Sequence, residues 1–554
     1  TDAGIRRFAT AWRWARRVAG WILTVLAFLL VWFALVAPNE ISRFSPGAFV
    51  RVPLEGLLVA GLLLALRGRA RTIVAAVIGL LLGLLTIVKL LDMVFFVALN
   101  RPFNPVIDRG YFRSAKGLLT DAIGRHEATL FLTVITIVYI AVLICTPLAM
   151  VRLTRLVSRY RRTSARTAAA LLAVWVLCAA LGLRFVPGEP IAATSAAGIA
   201  AEQARQVRAG IQDRDSFVRA AATDRFRDTP GADLLTGLRG KDVIVAVVES
   251  YGRVAVEGSS FAPGVDAVLD SGTARLRASG FAARSAFLTS PTFGGISWLA
   301  HSTFQSGLWI DNQQRYDDLV KTDRLTLSVA FRRAGWRTVG DVPSNTEDWP
   351  VGRSFYHYDT IYDARGVGYH GPKFSYAAMP DQYVMAAFQR LELSRPGHSP
   401  VMAEIDLVSS HTPWTPLPEF VDWSSLGDGS VFNGMPERGP SATTLWRDAN
   451  QVRAAYGRSI EYTLNTLVSF VQTYGDDNLV LLLYGDHQPA TIVSGQGASH
   501  EIPVTIVARD PAVMNRIAGW GWQDGMRPDD GAPVWPMDSM RDRILTAFGP
   551  LPPH

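Results

Sequence analysis

The sequence predicts an α/β protein on a membrane anchor: an N-terminal five-helix transmembrane domain, then an α/β sandwich with a largely parallel sheet. Three observations predict this. Five apolar stretches, at about 18–37, 49–66, 72–99, 128–149 and 168–186, crowd into the first third of the chain. Most have the roughly twenty residues that a bilayer crossing needs. Beyond Lys241 strand-like and helix-like segments alternate. Several of those strands are continuous apolar runs, the pattern of parallel strands buried on both faces.

The membrane half comes first. The second stretch carries Arg51 and Glu55 near its start, and Val18–Ala37 is too long for a cleaved signal peptide. With the N-terminus in the cytoplasm, the loops assigned to the inside hold 14 basic residues and those outside hold 7. Basic residues concentrate on the cytoplasmic side, and an odd number of spans then places the large domain outside the cytoplasm of a multi-pass cell-membrane protein. Lys89 and Asp92, spaced i,i+3 in the third span, can share a helix face and neutralise one another, or Lys89 can snorkel. The loop 100–127, with Arg101, Arg109, Arg113 and Lys116, suits either contact with lipid phosphates or ordinary anchoring.

Of the 554 residues, 1–186 carry 23 Lys and Arg against 7 Asp and Glu, whereas the whole chain has 55 against 48. The basic excess is therefore Arg at membrane flanks, which excludes a case for nucleic acid. The two cysteines, Cys145 and Cys178, lie in apolar segments and imply neither a disulfide framework nor a thiolate metal site. The expected division is a transmembrane domain at 1–187, an amphipathic connector at 188–238 and a catalytic domain at 239–554. The connector is rich in Ala and Arg with scattered Ile, Val and Phe, a helical pattern.

In the last domain, strands are expected at Val243–Val248, Gly280–Leu288, Arg337–Asp341, Val401–Leu407, Leu479–Tyr484 and Pro503–Ala508. Helices are expected at about 262–279, 298–306, 325–334, 379–393, 450–474 and 538–548.

The stretch PTFGGISWLAHSTFQSG, Pro291–Gly307, reads as a turn that presents Ser297 at the start of a helix. Gly294 and Gly295 permit a sharp turn and close approach of a phosphate, and the helix N-terminus favours an anion. Two apolar strands end in chemistry. DVIVAVVE ends in Glu249, and NLVLLLYGDH ends in Asp486 and His487. Open α/β sheets place their sites at the carboxyl ends of strands, so these residues and Ser297 can converge. Two carboxylates, an imidazole and a hydroxyl suit a hard-to-borderline divalent metal.

Glu-Ser-x-Gly after the first strand, Gly-x-Ser on the nucleophile turn and Gly-Asp-His after a late strand resemble the alkaline phosphatase superfamily. Within it they resemble the sulfatase-like branch of membrane-bound lipoteichoic acid synthases and phosphoethanolamine transferases. The likeness covers roughly Lys241 to Phe548. It implies an alkaline-phosphatase-like sandwich in which Glu249, Ser297, Asp486 and His487 hold a catalytic Mn2+ or Zn2+.

The resemblance extends to His411 in SSHTPW and His500 in GASHEIP, as catalytic histidines that bind a second metal, stabilise phosphoryl oxygens or protonate a leaving group. His301 falls one helical turn after Ser297. Trp349 and Arg353, in DWPVGR, lie where lipoteichoic acid synthases keep a Trp and an Arg for glycerol phosphate, here four residues apart instead of two. These three are the expected substrate-binding residues. Sulfatases of the superfamily carry Pro or Ala two residues and Arg four residues after the nucleophile position. Here Leu299 and His301 follow Ser297, which makes sulfate-ester hydrolysis the weaker expectation.

The resemblance thus implies a metal-dependent transferase. It would move a phosphoglycerol- or phosphoethanolamine-type group from a membrane phospholipid, through Ser297, to a cell-envelope glycan or glycolipid. A membrane-anchored phosphatase, phosphodiesterase or sulfatase is the alternative enzyme. A degenerate envelope scaffold is the alternative without catalysis.

Overall fold

A computed structural model of the chain describes residues 2–108, 125–186 and 189–550. Arg109, Arg113 and Lys116 of the expected interfacial loop therefore lie outside the described residues, as does Pro187 at the expected domain boundary. The chain forms two compact units, one reaching Ile211 and the other beginning at Gln212, with two short pieces near residue 100 grouped with the second. The division falls inside a helix, Ser195–Ala222, that occupies much of the expected connector.

The first unit is built on helices α1 (Asp2–Val36), α2 (Leu54–Ala65), α3 (Gly68–Leu99), α4 (Arg125–Arg159) and α5 (Arg161–Ala180). Four of them, α1, α3, α4 and α5, are long and apolar enough to cross a membrane. The stretch expected as the second span differs. Pro46 opens a separate short helix, Val52–Pro53 pairs with Ala192–Ala193, and only 12 residues remain for α2. At 1.5 Å per residue these cover about 18 Å, short of a hydrocarbon core of about 30 Å.

Close approach of α3 to α4 depends on two glycines one turn apart. A Cβ at Gly79 would stand 2.5 Å from the Pro147 Cα, and one at Gly83 would collide with Thr146 Oγ1. Small residues at such spacing let transmembrane backbones touch. Lys89 and Asp92 have separate partners. Lys89 is buried, and its Nζ donates to the carbonyl of Ala34 at 2.9 Å. Asp92 accepts from Asn39 Nδ2 at 2.7 Å and from the Phe103 amide at 2.9 Å. Among the described residues the two form no ion pair, so neither mutual neutralisation nor snorkelling describes them.

The second unit carries a nine-stranded sheet. In chain order its strands are β1 (Asp242–Val248), β2 (Ala282–Thr289), β3 (Arg337–Val342), β4 (Thr360–Asp363), β5 (Val401–Leu407), β6 (Leu479–Gly485), β7 (Glu501–Ala508), β8 (Gln523–Asp524) and β9 (Val534–Pro536). The spatial order is β8-β2-β7-β6-β1-β5-β3-β4, with β9 also paired to β2. All six expected strands are present, and the sheet is mixed. Strands β6, β1, β5, β3 and β4 run parallel, whereas β7 is antiparallel to both β6 and β2. The cause lies in residues 486–500 between β6 and β7, which hold only the four-residue helix Thr491–Ser494 and make no helical crossover of the kind a parallel return needs. A continuous apolar run records burial on two faces, not direction.

Helices cover both faces. Along β1, Ile244, Ala246 and Val248 face one core, shared with Ala262–Ala278 and Ala449–Tyr474. Val243, Val245 and Val247 face the other, shared with Ala300 and Phe304 of Ser297–Ser306 and with Ile544 of Ser539–Ala547. The two-residue period of the strand thus feeds two cores from one run.

Candidate functional site

Two parallel strands set the site. Val248 of β1 and Gly485 of β6 are register partners, so Glu249 and Asp486, the next residues, leave the sheet side by side. Gly485 is required there, because a Cβ would collide with the Tyr251 carbonyl oxygen. The two turns are then tied together: Asp486 Oδ1 accepts the amides of Ser250, at 2.7 Å, and His487, at 2.8 Å. Ser250 takes a positive φ of 57° to make this turn.

The turn that carries Ser297 is fastened to the same loop. Ser290 Oγ donates to the Asp486 carbonyl at 2.5 Å, and the Gly294 amide donates to the Gln488 carbonyl at 2.8 Å. Gly294 sits at φ 70° and Gly295 at 155°, as the sharp turn requires. Ile296 follows at φ 69°, an outlier for a β-branched residue. Such strain persists only where surroundings enforce it, and here it starts the helix at Ser297.

Ser297 Oγ donates to Glu249 Oε2 at 3.0 Å and lies 3.3 Å from His487 Nε2. His487 Nε2 is also 3.5 Å from Glu249 Oε1 and 3.4 Å from Asp486 Oδ2. Glu249, Asp486 and His487 are all buried, and their ligand atoms lie within 4.8 Å of one another. His487 Nδ1 faces the Gln488 carbonyl at 2.9 Å; a carbonyl only accepts, so Nδ1 carries a hydrogen, and Nε2 is the ring atom turned to the cluster. Asp486 Oδ2 is buried without a hydrogen-bond partner. An orphaned carboxylate oxygen, a second carboxylate and an oriented imidazole fit a divalent cation.

The charges agree. Burial pushes Glu249 up, but His411 and His487 outweigh it and hold the carboxyl down to about 2. Burial and the charge of Glu249 push Asp486 up to about 7. Burial opposes charge on His487, yet Asp486 and Glu249 raise it. Two buried carboxylates thus divide, one ionised and one reluctant.

His301 does not join this cluster by contact. Its Nδ1 lies 3.5 Å from Glu404 Oε1 and 3.6 Å from Asp406 Oδ1, a second group of ligand atoms within 4.8 Å. Glu404 Oε2 accepts from Tyr358 Oη at 3.0 Å and from Gln305 Nε2. Burial and the charge of Glu249 push Asp406 up to about 8. Neither Glu404 nor Asp406 is foreseen from motifs. The available signal is two carboxylates at same-face spacing in the otherwise apolar strand VMAEIDL, where burial of charge needs a reason.

His411 follows β5. Its Nδ1 faces the Thr412 carbonyl at 2.6 Å and its ring stacks on Tyr376 at 3.7 Å. Its neighbour Ser410 donates to the Glu249 carbonyl at 2.6 Å, which ties this loop to β1. His500 Nδ1 faces the Ser290 carbonyl at 3.3 Å, and burial lowers its pKa, favouring the neutral ring. Like His487, both of these imidazoles anchor Nδ1 on a carbonyl and keep Nε2 for other work.

Trp349 packs against Tyr356 and Tyr358, at ring distances of 5.5 and 6.1 Å. Gly352 is what admits its ring, since a Cβ there would meet it at 2.5 Å. Arg353 is exposed on the short helix Pro350–Ser354. Among the described residues, neither side chain hydrogen-bonds to Glu249, Ser297, Asp486 or His487.

No protein-family model and no curated protein matches the chain. Among solved structures it is similar to the integral membrane protein lipooligosaccharide phosphoethanolamine transferase A (EptA) from Neisseria meningitidis, with 11% identity, 95% of each chain covered and a TM-score of 0.45. It is similar to the lipoteichoic acid synthase LtaP from Listeria monocytogenes, with 14% identity, 57% of this chain and 73% of that one covered and a TM-score of 0.36. The phosphoglycerol transferase GacH from Streptococcus pyogenes, solved with sn-glycerol-1-phosphate, matches with 12% identity, 61% and 92% coverage and a TM-score of 0.35.

Proposed function

We propose that the chain is a membrane-anchored transferase of a substituted phosphate group, with Ser297 as nucleophile. The observation that carries this reading is Ser297 Oγ, held 3.0 Å from Glu249 Oε2 and 3.3 Å from His487 Nε2 at the rim of two parallel strands. Glu249, Asp486 and His487 would hold the divalent metal, Mn2+ or Zn2+, which when bound acts as a Lewis acid that favours the serine alkoxide and neutralises phosphoryl charge.

The chain's own residues do the rest. The strained turn at Ile296 fixes Oγ, so little orientation is left to chance when a phosphodiester arrives. Oγ forms a bond to phosphorus as the bond from phosphorus to the lipid alcohol oxygen breaks. The serine proton reaches the departing alkoxide through a neighbouring imidazole, for which His411 and His500 are the proposed relays. An acceptor hydroxyl then attacks phosphorus as the bond to Oγ breaks, and the acceptor's proton passes through the same relay to Oγ. The donor in this reading is a membrane phospholipid carrying phosphoglycerol or phosphoethanolamine, and the acceptor is a glycan or glycolipid of the cell envelope.

The placement of the catalytic unit outside the cytoplasm is part of the proposal. With a cytoplasmic N-terminus it requires an odd number of crossings, so if all four long helices cross, the 12-residue α2 must serve as a fifth.

The test is lipid mass spectrometry of the detergent-purified chain incubated with Mn2+ and mixed phospholipids. Transfer predicts diacylglycerol release that rises when a glycan acceptor is added. Release of free headgroup phosphate at a rate indifferent to acceptor would assign a hydrolase instead.

A further inference from the structure

We propose that His301, Glu404 and Asp406 form a second divalent-cation site, separate in its ligands from Glu249, Asp486 and His487. The register places it. Asp406 of β5 is the partner of Val247 on β1, and Glu249 stands two residues beyond Val247, so both carboxylates belong to the same face of the sheet. Glu404 precedes Asp406 by two and shares that face. His301 comes down from the helix that Ser297 begins.

The chemistry of the three atoms is that of a ligand set. Nδ1 of His301, Oε1 of Glu404 and Oδ1 of Asp406 all converge within 4.8 Å. Glu404 Oε2 is already satisfied by Tyr358 and Gln305, which turns Oε1 toward His301. The outer nitrogen of His301, Nε2, is buried without a hydrogen-bond partner.

Charge completes the case. Among the described residues no Lys or Arg pairs with Glu404 or Asp406, and one imidazole faces a buried carboxylate, Glu404, and a part-buried one, Asp406. Uncompensated buried charge is costly, and a divalent cation removes the deficit. Two oxygens and one nitrogen select a hard-to-borderline ion such as Mn2+, and three protein ligands leave positions for water or a substrate oxygen.

The experiment counts Mn2+ bound by the full chain in detergent, using the electron paramagnetic resonance signal of free Mn2+ during titration. Far-UV circular dichroism checks that each variant is folded. The expected result is two ions per wild-type chain and one in Asp406→Asn, in Glu404→Gln and in His487→Gln. The isosteric Glu404→Gln carries the test if Asp406→Asn does not fold.

The count separates this proposal from the metal reading of the first site, on which its total of two rests. One ion in the wild type, lost in His487→Gln and kept in Asp406→Asn, overturns the second site and leaves the first. One ion lost in Asp406→Asn and kept in His487→Gln sustains the second site and sinks the first. Two ions surviving both carboxylate variants, or none in the wild type, overturns the proposal.

Discussion

Ser297 Oγ donates its hydrogen to Glu249 Oε2 at 3.0 Å, across 48 residues of sequence, and this bond joins the Gly294–Ser297 turn to the end of the first strand of the sheet. In the proposed reaction, removing the hydroxyl removes the attacking atom and little else. Ser297→Ala is expected to lower turnover at least ~10³-fold. Its stability should change by no more than about 1 kcal/mol, the worth of one hydrogen bond. Steady-state kinetics beside thermal unfolding checks both.

Gly485 decides whether Glu249 and Asp486 can stand side by side. An added methyl would collide with the Tyr251 carbonyl oxygen, which is backbone and cannot rotate away. Gly485→Ala is expected to cost about 3 kcal/mol and to weaken Mn2+ binding by separating the two proposed ligands. Unchanged metal affinity in a folded Gly485→Ala would contradict this view of the site.

Asp341 supplies a pH signature away from the nucleophile. It is fully buried, its Oδ2 has no hydrogen-bond partner, and burial with the charges of Asp406 and Asp363 pushes it up to about 8. A raised carboxylate means that the folded chain holds a proton the unfolded chain has released. Stability therefore falls as pH rises from the ordinary value of 3.8 toward about 8, and is level outside that window. Relative to Asp341→Asn, the wild type is expected to lose up to about 1.4 kcal/mol per pH unit across it. Thermal unfolding of both chains at several pH values measures the difference.

Much of the fold was legible because burial leaves a plain record. The runs DVIVAVVE and NLVLLLYGDH gave both strands and the residues at their ends, and Gly294-Gly295 gave the turn. What was not legible has physical reasons. Strand direction is not encoded in an apolar run, so the antiparallel β7 was hidden until the missing crossover was seen. Hydropathy alone did not weigh the prolines that shorten α2. Glu404 and Asp406 carry no motif, because their meaning arises only when the helix of Ser297 is laid over β5.

The membrane topology is open to direct test. If α2 crosses, Ser45→Cys and Arg67→Cys, each in a chain with Cys145 and Cys178 replaced, should label from opposite sides of intact cells. Ser45→Cys is expected to react with an impermeant maleimide and Arg67→Cys only after permeabilisation. Labelling of both from one side would place the catalytic unit in the cytoplasm for a cytoplasmic N-terminus.

Intact-mass spectrometry of the detergent-purified chain after incubation with Mn2+ and phospholipid, run beside Ser297→Ala, tests transfer through Ser297 most directly. The wild type is expected to gain the mass of one headgroup phosphate, a mass that names the donor, and Ser297→Ala is expected to gain none. An equal mass gain in Ser297→Ala, or diacylglycerol release from the mutant at the wild-type rate, would contradict it.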